Sequence, residues 1–309
     1  FRRINMNISL KNLLEIKGGL SKKKVFRKVE KKINKIIIDF SADSKEFDNY
    51  LKINKILSKI NIAIPKVYEV HVKKKIIVIE DFGNKNFNKI INEKDLFKLL
   101  KLAVDSLIVI QNSIHKDDLY DLEKYTFSEL RKEISEFVDY YLPYKKVTNF
   151  NINNFYEVWE KIYDKQSFKF NSFVHKDFEF INLILLNNNN LHLRCGIIDF
   201  QSAFIGFKGW DLFSLLEFPR VNFTRKYNED LIKYFYENIT YSYDFESFRS
   251  QYYVLNLARL TRLLGRWIKL FNKGNNHYLN FIDPTKERLI SCLTNIKDQN
   301  LKNMYEKVL

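Results

Sequence analysis

The stretch FVHKDFEFINLILLNNNNLHLRCGIIDFQ, from Phe173 to Gln201, decides how this chain is read. An apolar pair leads into His175, Lys176 and Asp177, and Asn182 stands five positions after Asp177. Two short apolar runs then flank the four-Asn turn at 187–190, and the second of them ends on Asp199, Phe200 and Gln201. Short apolar runs around a turn of this composition predict a hairpin. Buried strands on either side would hold the three polar groups rigidly.

Those residue types at those intervals suit phosphoryl transfer. That reaction asks for an acceptor hydroxyl aimed in line and for Mg²⁺ held against the phosphates, with little covalent work by the protein. On this reading Asp177 takes the acceptor proton as catalytic base. Asn182 supplies a neutral oxygen to the metal, and Asp199 brings a carboxylate to the same ion after the hairpin. An Asp-x-x-x-x-Asn pair alone says little. The His two positions before it, the hairpin and the IIDFQ run make the pattern specific. His175 can be read as a direct catalyst or as a packed, hydrogen-bonded support for the loop; we take it as the support.

Upstream, KKVFRKVE and NKIIIDF read as two strands of a hairpin, and KVYEVHV with KIIVIEDFG as a second hairpin around Lys73 and Lys74. Between them, the spacing of Phe47, Tyr50, Leu51, Ile53, Ile56 and Leu57 predicts a helix over 44–60, capped by Asp43. After Gly83 the texture changes to long amphipathic segments: 93–114, 127–142, 153–166, 210–218, 228–239, 245–271 and 284–308. The expectation is an α+β, bilobal fold: a small β-rich N-terminal lobe over 1–83 and a larger, mostly helical lobe over 84–309. Alternating βαβ units are absent, which excludes a doubly wound parallel sheet.

With that order in place, HKDFEFIN and IIDFQ resemble the catalytic and metal-binding loops of the protein-kinase-like superfamily, on its aminoglycoside phosphotransferase and choline kinase side. GIIDFQSAFIGFKGWDLFSLLEFPR is most similar to the branch of cell-wall amino-sugar anomeric kinases acting on N-acetylmuramate and N-acetylglucosamine. The matching positions are Gly196, Asp199, Phe200, Gln201, Ala203, Gly206, Trp210, Asp211, Ser214 and Arg220. SKKKVFRK resembles that branch's nucleotide loop through Ser21, Lys23 and Arg27. LNLARLTRLLGRWIKLFNKGNNHYL resembles its C-terminal helix and turn.

The resemblance implies an ATP- and Mg²⁺-dependent kinase with an alcohol acceptor, an amino sugar of cell-wall recycling. It implies nucleotide contacts from Ser21, Lys23 and Arg27 and from backbone groups of Glu80 and Phe82, where VIEDFG closes the small lobe. It implies a supporting role for Asp211, at a helix start, on the catalytic-loop backbone. The sequence departs from the branch at Ser202, Ile181 and Val25. The lysine that kinases carry on the third strand would fall near Ile38 or Asp39, and neither is Lys. Lys23 or Arg27 is therefore expected to face the phosphates instead, and Glu46, lacking a lysine partner, to lie at the surface. For the acceptor, Gln201, Arg220, Arg262 and Arg266 are candidates. Arg262 and Arg266 share a helix face, and a guanidinium matches a sugar carboxylate.

Composition limits the alternatives. Of 309 residues 46% are hydrophobic, enough for large cores, and wholesale disorder is excluded. No apolar run reaches the roughly 20 residues that span a bilayer. Two cysteines give neither a disulfide framework nor a metal cluster, and the expectation is a reduced, cytoplasmic protein. The net charge of +15 comes from lysines spread along the chain. We read it as a composition bias that attracts small anions such as nucleotides, since no nucleic-acid-binding motif accompanies it. Three further readings stay open: an aminoglycoside or choline-type kinase, an inactive kinase-like interaction module, and a basic nucleic-acid binder.

Overall fold

The computed structural model describes residues 13–16, 22–29, 34–221 and 223–309. Along the chain the elements are β1 (Leu13–Ile16), β2 (Lys24–Lys28), β3 (Lys35–Asp39), α1 (Ser44–Leu57), β4 (Val67–His71), β5 (Ile76–Glu80), α2 (Phe87–Ile90) and α3 (Leu96–Ser113). There follow α4 (Phe127–Glu136), α5 (Leu142–Tyr144), α6 (Ile152–Lys165), β6 (Ser172–Val174), β7 (Leu183–Leu185), β8 (Cys195–Ile197) and β9 (Phe204–Gly206). The chain closes with α7 (Trp210–Leu216), α8 (Asn228–Glu237), α9 (Phe245–Phe271), α10 (Ile282–Thr294) and α11 (Gln299–Glu306). This is the α+β, protein-kinase-like architecture expected: an N-terminal antiparallel sheet followed by a mostly helical region.

The chain folds as two compact units. One runs to Ile114 and takes in His175–Ala203; the other holds His115–Val174 and Phe204–Leu309. In the first unit the hairpin β7–β8 bonds outward to segments that precede it in the sequence. Ile197 N–H donates to Ala63 O at 2.8 Å, and Leu185 N–H to Lys85 O at 2.8 Å. The Asn86 side chain donates to Ile181 O at 2.5 Å.

In the first unit the strands form one antiparallel sheet in the order β1-β2-β3-β5-β4. The β4–β5 hairpin turns at Val72–Lys74, with Lys75 in the left-handed region (φ 53°). α1 begins where Asp43 accepts the Glu46 N–H at 3.1 Å, the cap read from the sequence, and it ends at Leu57 rather than Ile60. Phe47, Tyr50, Ile53 and Leu57 recur at helical spacing on its buried face.

The second unit is built around α9, a 27-residue helix with the bounds predicted. It carries buried residues on all sides, as a helix enclosed by neighbours must. The predicted helix 127–142 is interrupted by a π-helical turn, Phe137–Tyr141. Pro143 lacks an N–H and would crowd the carbonyl four residues back, and widening the turn relieves this, with Leu142 N–H reaching Phe137 O. The predicted helix 284–308 is two helices, because Asp298 caps a new start by accepting from Leu301 N–H at 3.0 Å.

α9 meets the α4 end at backbone level. A Cβ on Gly265 would lie 2.0 Å from Glu136 O and 2.5 Å from Phe137 N. Backbone atoms cannot step aside as a flexible side chain can. Overpacking of this kind costs about 3 kcal/mol, and the better helix propensity of Ala returns about 1 kcal/mol. Gly265→Ala should therefore lose roughly 2 kcal/mol net, read as a lower urea midpoint.

Candidate active site

The segment from Val174 to Asp199 is held by its own backbone. After Val174 the chain passes Lys176 at φ 80°, a left-handed conformation that residues with a Cβ seldom adopt. The Asp177 carbonyl then accepts two bonds, from Glu179 N–H at 2.9 Å and from the Asn182 side-chain amide at 2.8 Å. This fixes where the Asp177 side chain begins. It also turns Asn182 so that its nitrogen is occupied and its oxygen remains the group to offer a ligand. Ile198 N–H closes the hairpin onto Asn182 O at 3.1 Å, and Asp199 follows at once in the left-handed region (φ 67°).

Asp199 faces a cavity of about 670 Å³ whose wall also includes Asn182, Lys23, Tyr50 and Gln201. Lys23 makes an ion pair with Asp199 Oδ1, and Gln201 donates its amide to the same oxygen at 3.0 Å. Burial pushes the Asp199 carboxyl upward, but Lys23 and Gln201 outweigh it and hold the group below its ordinary range. Gln201 Oε1 is buried without a protein partner. The cavity wall also includes the apolar Val25, Ile36, Ile38, Pro65 and Ile79, with Glu80 and Phe82. Glu80 N–H is given to Lys66 O at 2.9 Å.

The two β3 positions on the cavity wall are Ile36 and Ile38, so a third-strand lysine is indeed lacking there, and Lys23 supplies the ammonium at Asp199. Arg27 goes to the opposite end. Its Nε lies 2.6 Å from Asp81 Oδ2, and its terminal nitrogens donate to Asp81 Oδ1 at 2.9 Å and to Asn84 Oδ1 at 2.6 Å. Of the two cations expected at the phosphates, then, Arg27 is engaged beside the β5 end and Lys23 meets Asp199. Ser21 lies outside the described residues. Glu46 is half-buried on α1.

His175 is fully buried and sits beneath this site. A carbonyl can only accept, so the contact of His175 Nε2 with Ile198 O at 3.1 Å places the ring proton on Nε2. Burial lowers its pKa to about 4 despite the nearby Asp199 charge. The ring is thus a neutral support for the carbonyl just before Asp199.

The remaining expected residues belong to the second unit. Asp211 is buried in the first turn of α7. Arg220 lies over the rings of Phe218 at 4.9 Å and Trp267 at 5.9 Å. Arg262 pairs with Glu133 at 3.2 Å and Arg266 with Glu136 at 2.7 Å. These pairs clasp α9 to α4, so the shared helix face read from the spacing is present but meets carboxylates of the chain itself.

Sequence reasoning missed Tyr50, Asp81, Asn84 and Asn86. Tyr50 reads as one more apolar member of the α1 face, and its polar tip gives no periodic signal. Arg27 and Asp81 are 54 positions apart, so no local pattern links them.

This geometry can be set beside known proteins. Residues 12–244 match the model of the phosphotransferase enzyme family that also bears the label APH. The chain belongs to that family. It is 23% identical over 257 residues to an N-acetylmuramate/N-acetylglucosamine kinase of Caulobacter vibrioides, spanning 80% of this chain and 70% of that protein. It is 23% identical to the enzyme of the same name from Neisseria meningitidis serogroup B, over 65% of this chain and 60% of that one. In fold it resembles spectinomycin phosphotransferase in complex with ADP and spectinomycin (TM-score 0.57, 16% identity, 92% of each chain). It also resembles the choline kinase LicA of Streptococcus pneumoniae (TM-score 0.61, 14% identity, 91% of this chain and 95% of that one). Among the described residues no helix is long and apolar enough to cross a membrane.

The buried imidazole makes the fold acid-sensitive. With a folded pKa of about 4 against 6.5 when exposed, the unfolded chain binds the proton first as pH falls. His175's contribution is full above pH 6.5 and is lost on the way down to about 4, a loss of roughly 3 kcal/mol. Denaturant unfolding at pH 7 and pH 4.5 should show a steeper acid loss in wild type than in His175→Gln.

Proposed function

We propose that this chain is an ATP- and Mg²⁺-dependent kinase that moves the γ-phosphate to a hydroxyl of a small molecule, an amino sugar such as N-acetylmuramate or N-acetylglucosamine. The observation that carries the reading is one cavity whose wall combines the apolar Val25, Ile36, Ile38, Pro65 and Ile79 and the pair Glu80 and Phe82 with the polar set Lys23, Asn182 and Asp199. The apolar part suits a purine, with the Glu80 carbonyl and the Phe82 N–H as base contacts. The amino-sugar acceptor is supported by the two 23%-identical relatives named above. The chain's net charge of +15 disfavours a polycationic aminoglycoside.

The donor set fits Mg²⁺. That ion takes one or two protein oxygens and keeps waters and phosphate oxygens for the rest. Asn182 and Asp199 are such oxygens, and a cluster of three His, Cys, Asp or Glu side chains, absent among the described residues, is not needed. Bound there, Mg²⁺ would neutralise phosphate charge. Lys23 holds Asp199 in its ionised form and brings a second positive charge to the phosphate end. Gln201 orients Asp199 and keeps Oε1 to accept from a ligand. Asp177, its main chain pinned by Asn182 and Glu179, accepts the proton of the acceptor hydroxyl.

Two variants test these roles. Asp177→Asn should bind ADP as wild type does and lose at least a hundredfold in turnover, on the order of general-base contributions. Wild-type turnover in that variant would remove Asp177 as the base. ADP release assayed over N-acetylmuramate, N-acetylglucosamine, choline and aminoglycosides decides the acceptor, and no release with any of them would favour a non-catalytic module. Separately, calorimetry of ADP with and without Mg²⁺ should show that Asp199→Ala abolishes most of the metal's gain in affinity. An unchanged gain would exclude Asp199 as a ligand.

A further inference from the structure

Tyr50 is an α1 residue only 2% exposed, and it forms part of the cavity wall beside Asp199. Its ring stacks on Phe200, the neighbour of Asp199, with centroids 4.7 Å apart and planes inclined by 29°. Phe40 closes the other side at 5.8 Å. The ring is therefore well packed, yet its hydroxyl is buried with no hydrogen-bond partner in the protein. A buried polar group without a partner calls for an explanation, and one carried by a residue that lines a cavity marks a place for a ligand atom.

The chemistry of that atom follows from the surroundings. The cavity wall includes the apolar Val25, Ile36, Pro65 and Ile79, and Lys23 and Gln201 gather at Asp199. Tyr50 belongs with that polar group, since it stacks on Phe200 and feels the Asp199 charge. Burial and that charge raise the phenol above its ordinary value, so it stays protonated and able to donate. A packed ring with a fixed donor next to an ammonium suits an anionic oxygen.

We propose that the Tyr50 hydroxyl donates a hydrogen bond to a phosphate-chain oxygen of the bound nucleotide, with Phe200 setting its position. This rests on the nucleotide reading of the cavity given above. Tyr50 thereby couples α1 to the segment that presents Asp199. A phenol on the helix and an ammonium from the residue before β2 together serve the phosphates.

The test compares wild type, Tyr50→Phe and Tyr50→Leu, with ADP plus Mg²⁺ and with adenosine as probes in calorimetry, and thermal unfolding of the ligand-free proteins. Tyr50→Phe keeps the stack and removes the orphaned hydroxyl. It should unfold at the same temperature as wild type or higher, bind ADP about tenfold more weakly, in the range of one bond to a charged group, and bind adenosine unchanged. Tyr50→Leu loses the stack as well and should unfold earlier. A side chain with a purely structural role would leave the ADP affinity of Tyr50→Phe untouched. Unchanged ADP affinity in Tyr50→Phe, or equal weakening for ADP and adenosine, overturns the assignment while the nucleotide site stands. Wild type that binds neither probe overturns the nucleotide reading and this inference with it.

Discussion

One backbone hydrogen bond, from Ile198 N–H to Asn182 O at 3.1 Å, ties the two halves of the site together. It ends the β7–β8 pairing at the point where two oxygen-bearing side chains, Asn182 and Asp199, must face one cavity. On one side of it the Asn182 amide reaches back to Asp177 O, so the proposed base is fixed by the same residue that we propose as a metal ligand. On the other side His175 holds Ile198 O, the carbonyl next to Asp199. Four residues are thus positioned by short bonds that need no long side chain to be ordered, and the entropic cost of holding them is small.

The same segment breaks several local rules at once. Lys176 and Asp199 occupy left-handed conformations without being glycine, and each such residue costs about 1 kcal/mol or more. A histidine is buried neutral, and the Tyr50 hydroxyl and Gln201 Oε1 are left without protein partners. Helix capping, by contrast, follows its rules, with Asp43, Thr126, Asn151, Asp244 and Asp298 each capping a helix through the side chain.

How much of this was legible follows from what kind of signal each feature leaves. The strands of the first sheet, α1 with its Asp43 cap and the whole of α9 announce themselves through apolar periodicity, which depends only on near neighbours. Asp177, Asn182 and Asp199 are legible because their loop and hairpin are contiguous in sequence. The π-turn at Phe137–Tyr141 is not, since it depends on Pro143 meeting a helix that looks continuous. Neither is the association of His175–Ala203 with the first unit, which rests on bonds to Ala63, Lys85 and Asn86, about a hundred or more positions away. Arg262 and Arg266 show the converse: spacing put them on one helix face, but only the fold says that Glu133 and Glu136 meet them there.

Lys23 and Arg27, alternatives in the sequence, are separated by the metric of an extended segment. The two are four residues apart, so period-two alternation puts both on one face. At about 3.3 Å per residue their Cα atoms are separated by roughly 13 Å. One side chain cannot serve where the other does. Arg27, with a planar fork, is matched to a carboxylate and a carbonyl around the Asp81–Gly83 turn, where Gly83 itself takes a positive φ of 82°. Lys23, a compact charge on a flexible stem, meets Asp199, whose partner must be exchangeable if a cation is to take its place. A guanidinium held by two parallel bonds would be slow to yield that carboxylate. A single ammonium can move from Asp199 to an arriving phosphate while keeping its charge compensated throughout. On the proposed function, the order of the two residues, Lys23 just before β2 and Arg27 within it, sorts a fixed cation to the Asp81 end and a movable one to the Asp199 end.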